Sequence, residues 1–519
     1  MACKNINILL LQQLAWGIRI GHKIAKILNT DGYRLSAFVH GEQTKKFLQN
    51  QTKVQYQHMF YVDPLYDKGD DIVTSQQVQE IEERYNLDSI WRTIYSDRFL
   101  VYTFLNSRHF KTQKPVSNNY ILSVCWNMYR FIQDVIDKTQ PAYVVGAVIG
   151  CLPNYLLYLE CKHRNIPFFT IGPGRINNYH YIADGLCLSS KIIQRRHEEL
   201  LINPEISTKY EKAKCLYSEM RRDNPQTKPA YLRYHRREKP FASTRWFFEA
   251  CLSILLFPAK IAKAILLHKQ VFGMRHIWNP ANSRLNAVLN VYIGLREKFL
   301  ATDNQGKCIQ SVDEINFRYV FFPLHLEPEL SLMVFCPEYS NQLEICRRIS
   351  LNLPKGVRLL VKEHPNMVRA RKKQFYEDLK GLPNVEMLHS SVSSERIFMS
   401  KQCVAVISIS STAALEAAMN GKPVVVLTPE FERLPTVHYA STLSKAIKQI
   451  CVFCSEDLAF DAAEIERGNL AYLCAMLENS FATDYSKHWT TQKGDIDAKK
   501  TVQAIYRWLE EKSDYQPTT

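Results

Sequence analysis

Residues 359–366 read LLVKEHPN, and residues 407–423 read ISISSTAALEAAMNGKP. Each is an apolar run that ends in small, polar or charged groups and then passes into a helix-forming stretch. Apolar runs of this length without polar alternation mark strands buried on both faces, as in a parallel sheet covered by helices. On either side, RYVFFPLH (318–325), VRLLVKEH (357–364), VEMLH (385–389), CVAVISIS (403–410) and PVVVL (423–427) read as strands. Helices are expected near 338–352, 368–380, 393–400 and 411–420. Strand and helix alternating in this way within one stretch make a doubly wound α/β domain.

The first part of the chain repeats the pattern. NINILLL (5–11), LSAFVH (35–40), AYVVGAVIG (142–150) and PFFTIG (167–172) read as buried strands. Helices are expected near 15–29, from Glu42, near 120–138 and near 153–164. A chain of 519 residues is too long for one core and suggests two or three domains. The divisions expected are 1–190, a first Rossmann-like domain; 191–310, a basic, partly apolar helical insertion; 311–480, a second α/β domain; and 481–519, a terminal helix that could pack back on the first domain.

The net charge is +15, which favours an anionic partner. Residues 209–275 hold 15 Lys or Arg against 5 Asp or Glu. Within them WFFEACLSILLFPAKIAKAILL (246–267) is apolar but broken by Glu249, Pro258, Lys260 and Lys263, a poor pattern for a spanning helix. Basic residues beside aromatic and aliphatic ones suit a segment lying on anionic lipid, and equally a helical insertion packed on the protein. No nucleic-acid motif is present, so RNA or DNA is not the expected partner. The 14 cysteines are scattered, and the lone C-x-x-C at Cys451 and Cys454 lacks the second ligand pair of a zinc site. That usage fits a reducing compartment, and NINILLLQQ lacks the basic leader and cleavage site of a signal peptide, so a cytoplasmic address is expected.

Open α/β sheets bind ligands beyond the carboxyl ends of their strands, where loops precede helix starts. Lys362, Glu363, His364 and Pro365 stand at one such end. His364 can donate to a phosphate oxygen and Lys362 can supply charge, or both can be ordinary strand-end residues with Glu363 a solvated carboxylate. Ser408, Ser410, Ser411 and Thr412 stand at the end of a strand expected to neighbour the first, before the helix TAALEAAMNG. A helix start favours an anion through its unbonded N–H groups and its dipole, although Ser411 or Thr412 could be a plain cap. Glu416, one turn in, could accept both hydroxyls of a ribose. Gly421 suits the end of that helix.

Together FFPLHLEPE (321–329), VKEHP (361–365), LPNVEML (382–388) and SSTAALEAAMNGKPVVVL (410–427) resemble the C-terminal half of bacterial capsule and surface-polysaccharide biosynthesis glycosyltransferases. The His-Pro and Ser-Ser/Thr pair is also similar to Kdo transferases and bacterial sialyltransferases. The resemblance implies a GT-B fold: two doubly wound Rossmann-like domains facing across a cleft, here with the basic helical insertion. It implies a nucleotide-sugar donor, often a CMP-sugar such as CMP-Kdo or CMP-sialic acid, and a growing capsule or lipopolysaccharide glycan or glycolipid as acceptor. It implies His364, Pro365, Ser410, Ser411 and Thr412 near the donor phosphate, with Lys362 beside them and Glu416 near the ribose. Such enzymes generally need neither metal nor cofactor, since helix dipole and basic residues meet the leaving phosphate.

A base that takes the acceptor proton is then expected on the first domain. Asp97 in IYSDRF and Glu42 after LSAFVH are the candidates, although a structural pair with Arg98 explains Asp97 more simply and Glu42 could equally be first-turn helix charge. Arg175 in IGPGRINN, and His325 and Glu329 in PLHLEPE, are expected at the cleft. The reading is a metal-independent glycosyltransferase, peripheral on the inner membrane. Two rivals are a nucleotide-sugar 2-epimerase-like isomerase, which shares the GT-B architecture, and a non-catalytic binding protein of envelope assembly, against which Lys362, His364, Ser410 and Glu416 together weigh.

Overall fold

The computed structural model describes residues 6–101, 116–222, 227–228, 252, 255–266, 305–368, 371–429, 433–455, 460–485 and 494–513. Much of the basic stretch 209–275 therefore lies outside the described residues.

The first sheet is built on β1 (Asn7–Gln13), β2 (Arg34–His40), β3 (Tyr56–Tyr61), β4 (Tyr143–Val145), β5 (Phe168–Pro173) and β6 (Tyr179–Ala183). The second holds β7 (Arg318–Pro323), β8 (Val357–Lys362), β9 (Val385–Leu388), β10 (Cys403–Ser408), β11 (Val424–Val426) and β12 (Val437–Tyr439). A last strand, β13 (Ser480–Ala482), returns to the first sheet and pairs antiparallel with β6. The orders are β13-β6-β5-β4-β1-β2-β3 and β12-β11-β10-β7-β8-β9. From β3 to β5, and throughout the second sheet, neighbouring strands are parallel. Both orders are Rossmann-like, with the first strand central and the chain reversing direction beside it. The GT-B architecture is thus present: two doubly wound domains, each with its own switch point.

The strands pair where their apolar runs are longest. In β7, Tyr319, Val320, Phe321 and Phe322 have no exposed surface, and Phe321 and Phe322 face opposite sides of the sheet. Each such side chain stabilises the fold by about 1.5–3 kcal/mol through burial. Helix Asn118–Thr139 covers one face of the first sheet. The other face takes helix Ile20–Thr30 and the last helix, Asp495–Ser513. Trp508 of that helix stacks edge-on against Phe169 of β5 at 4.6 Å, and Tyr506 donates to Asp31 at 2.6 Å.

Three local expectations need correction. The helix expected over 15–29 is two pieces, Leu14–Ile18 and Ile20–Thr30, broken at Arg19, whose φ of −103° and ψ of −81° are not helical. The strand expected over 142–150 stops at Val145; Gly146 and Ala147 still bond to β5, and the chain then turns away to start helix Leu152–His163. Finally, β8 and β10 are not neighbours. The Rossmann order puts β7 between them, so His325 after β7 touches the Ser-rich helix start directly and His364 after β8 stands one strand further out.

Candidate nucleotide site at the second switch point

The second sheet reverses direction between β7 and β10, which places the ends of those strands at its ligand crevice. After β10 the chain enters helix Thr412–Met419 through Ser411, which occupies the cap position with extended backbone (φ −147°, ψ 156°). Its hydroxyl does not cap the helix. It lies 2.7 Å from the Ser408 hydroxyl instead, and no acidic residue stands in the first turn. The first N–H groups of a helix have no carbonyl of their own to bond, and here Ser411, Thr412 and Ala413 are only half-buried. The result is an uncapped, accessible helix start carrying the positive end of the dipole.

Three further residues converge on it. His325, just past β7, is buried, with its Nε2 3.1 Å from the Ser410 N–H and 3.0 Å from the Ser410 carbonyl, so its tautomer decides whether it accepts or donates. Burial is the main cause that holds its pKa down at about 3, with His364 and Arg175 adding positive charge nearby. The imidazole is therefore neutral and orients the loop rather than adding charge. Ser331 donates to the same carbonyl at 3.5 Å. Arg175, at the end of β5 in the other domain, crosses over and donates from Nη2 to the Ser410 hydroxyl at 3.3 Å. It reaches there from a left-handed backbone (φ +56°), and Asn177 repeats that conformation (φ +49°). The loop is pinned where Asn177 donates its N–H to Thr227 at 2.8 Å, while the adjoining Lys228 pairs with Glu395 of the second domain at 2.5 Å.

His364 lies one strand further out, half-buried, and its Nδ1 accepts the N–H of Asn366 at 3.2 Å. Pro365 is exposed beside it. Lys362 points its ammonium to the Val392 carbonyl (2.6 Å) and the Ser394 hydroxyl (3.2 Å), so it holds the loop before helix Ser394–Met399 and is itself nearly buried. Glu363 is no solvated carboxylate: it is buried and bonded to Arg371 and Tyr376. Glu329 accepts the Ser331 N–H at 3.2 Å at the start of the one-turn helix Ser331–Phe335. Glu416 is half-buried one turn into the Ser-rich helix.

Of the first-domain candidates, Asp97 is corrected. It has no exposed surface, and its oxygens accept from Tyr66 Oη (2.5 Å) and from the N–H groups of Leu152 (3.0 Å), Phe99 (2.9 Å) and Leu100 (3.3 Å). A carboxylate filled on all sides starts helix Leu152–His163 and leaves no lone pair for an acceptor hydroxyl. Glu42 is half-exposed in the first turn of helix Glu42–Asn50, accepting from Tyr61 Oη at 2.9 Å, with Lys46 3.4 Å away. The same Tyr61 hydroxyl lies 2.9 Å from Asp63, whose other oxygen accepts the Gly41 N–H at 3.0 Å.

Sequence reasoning missed Ser331 and Arg371. Ser331 sits in PELSLMVF, which carries no helix or strand period, and only the fold brings it to Ser410. Arg371 lies in the run of basic residues VRARKKQ, which gives no sign of burial. Among the described residues no group of His, Cys, Asp and Glu is arranged to hold a metal ion, and no helix is long and apolar enough to cross a membrane.

Residues 270–433 match the family model of capsule polysaccharide biosynthesis proteins, a span that takes in β7, β8, β9, β10 and β11. A sequence search of curated proteins found no match. Similar solved structures include KpsC, the beta Kdo 2,7 transferase of Thermosulfurimonas dismutans, at 10% identity over 66% of this chain and 80% of that one, with a TM-score of 0.29. A UDP-GlcNAc 2-epimerase from Methanocaldococcus jannaschii is 10% identical over 90% and 97% of the two chains, with a TM-score of 0.24. The calicheamicin glycosyltransferase CalG4 is 12% identical over 96% and 98%, with a TM-score of 0.25. Likenesses at such TM-scores carry no weight for activity. The stretch of this chain that carries the second sheet's switch point and the Ser-rich helix start is thus similar to capsule polysaccharide biosynthesis proteins.

Proposed function

We propose that the chain transfers a sugar from a nucleotide-activated donor, a CMP-sugar such as CMP-Kdo or CMP-sialic acid, to a growing capsule or lipopolysaccharide glycan. The observation that carries this reading is the uncapped start of helix Thr412–Met419 at the second switch point, with Arg175 reaching Ser410 from the opposite domain. In this reading the donor phosphate rests on the N–H groups of Thr412 and Ala413, with Ser410, Ser411, His364 and Pro365 around it and Lys362 fixing the loop below. Glu416 takes the ribose hydroxyls. An acceptor hydroxyl displaces the nucleotide at the anomeric carbon, its proton passing to Glu42, while Arg175 and the helix dipole meet the charge that develops on the phosphate. His325 and Glu329 hold the cleft loop. No metal and no cofactor take part.

A thermal-shift screen against CMP, UDP, GDP and TDP tests the donor assignment, because a ligand that binds only the folded state stabilises it according to its concentration and affinity. Selective stabilisation by CMP is expected. Turnover of a UDP-sugar with no acceptor present would instead make the chain an isomerase.

The enzyme works in this reading at the inner face of the membrane through residues 209–275. Within them helix Phe257–Leu266 carries Lys263, and Leu255, Leu256 and Leu266 are exposed. Sedimentation with vesicles containing anionic lipid, and loss of that binding on removal of the segment, is the expected result. Unchanged binding without it would end the membrane assignment.

A further inference from the structure

Behind the candidate donor site, one buried guanidinium joins two loops that approach it from different strands. Arg371 donates from Nε to Glu363 Oε2 at 2.7 Å, from Nη2 to the His325 carbonyl at 3.1 Å, and from Nη1 to Glu327 at 2.9 Å. Glu363 immediately precedes His364, and its Oε1 accepts the His364 N–H at 2.7 Å. Its other oxygen also accepts Tyr376 Oη at 2.8 Å. Gln342 completes the second loop: its Oε1 accepts the His325 N–H at 2.7 Å, and its amide donates to the His325 carbonyl at 3.2 Å and to Glu327. The Glu363 side chain is fully buried and that of Arg371 nearly so, while Glu327 is half-exposed.

Burying a charged pair repays its desolvation only with good geometry and with the remaining hydrogen bonds satisfied. Simple fold stability would be served as well by apolar residues of similar volume. What the pair adds is a fixed relation between two backbones. We propose that Arg371 is a positioning residue for donor binding, acting through Glu363 on the His364 loop and directly on the His325 loop, so that both sit in one geometry around the Ser410 helix start. The proposal rests on the donor-site reading above. A planar fork reaches three acceptors in fixed directions, and a lysine ammonium, a point charge on a flexible stem, does not. Arg371→Lys therefore keeps the charge beside Glu363 but frees the loops.

The test is a calorimetric titration of the full-length protein with CMP, in four forms: wild type, Arg371→Lys, His364→Ala and the double variant. If Arg371 acts through the His364 loop, Arg371→Lys weakens CMP about 10-fold in the wild type and less than about 3-fold in the His364→Ala background, the non-additivity expected of coupled neighbours. A loss of packing alone would weaken CMP by the same factor in both backgrounds, and that result overturns the proposal, as does unchanged affinity in Arg371→Lys. Should His364→Ala itself bind CMP like the wild type, the donor-site reading falls and takes this proposal with it. If Arg371→Lys does not fold, Glu327→Gln, which removes one half-exposed partner, carries the same test with an expected loss of about 3-fold in the wild type and none in His364→Ala.

Discussion

Two carboxylates on the first domain show how environment separates roles that look alike in sequence. Asp97 and Glu42 both follow apolar segments, but Asp97 is enclosed and fully hydrogen-bonded, whereas Glu42 is half-exposed. Asp97→Asn turns an amide N–H toward donors that need an acceptor. It should lower stability by roughly 2–4 kcal/mol in chemical denaturation, while the folded fraction keeps its kcat. Histidine burial gives a second prediction. The folded pKa of His325 lies near 3 and that of His197, whose Nε2 is 3.3 Å from the Gly468 carbonyl, near 4, in both cases chiefly through burial. Folding favours the neutral form of each, so their contribution is complete above the unfolded value of about 6.5 and is lost as pH falls toward 4 and then 3. The transition temperature should drop over that window, and His325→Asn should lose less on acidification than the wild type.

At the scale of the element, helix Thr412–Met419 was legible because both ends are written in local chemistry. Gly421 follows its last turn at φ +71°, the left-handed position where a side chain is strained, and the N–H groups of Gly421 and Lys422 close back on Ala418 and Ala417. Gly421→Ala should cost about 1 kcal/mol in a urea melt, without changing nucleotide affinity. The apolar runs of β7, β8 and β10 were equally legible, since burial on both faces leaves no polar alternation to misread. Less so were β3, exposed along much of its length at a sheet edge, and β6 and β13, short strands whose pairing joins residues about 300 apart. Their partners, not their own sequence, make them strands. The same limit hid the site's second tier: Glu363 reads equally as a solvated strand-end carboxylate and Arg371 gives no sign of burial, yet the fold buries both.

For the whole molecule, the cleft is set by segments that cross between the two sheets. Arg175 and the pinned loop behind it cross from the first domain to the second. The chain's last strand and helix return to the first, with Trp508 against Phe169 and Lys23 paired with Asp495 at 2.9 Å. Trp508→Ala should therefore lower overall stability by about 3–5 kcal/mol although the residue is far from any chemistry, and a two-probe melt should show the first domain losing structure earlier.

The central claim is that the open start of helix Thr412–Met419 holds the donor phosphate. Ser411→Asp tests it through two effects of opposite sign. A carboxylate at the cap position bonds the first N–H groups and complements the dipole, so the variant should be as stable as the wild type or more so, by up to about 1 kcal/mol. The same carboxylate occupies and repels the anion site, so CMP measured by calorimetric titration should bind at least about 10-fold more weakly. A variant that is stable and still binds CMP with wild-type affinity would contradict the account.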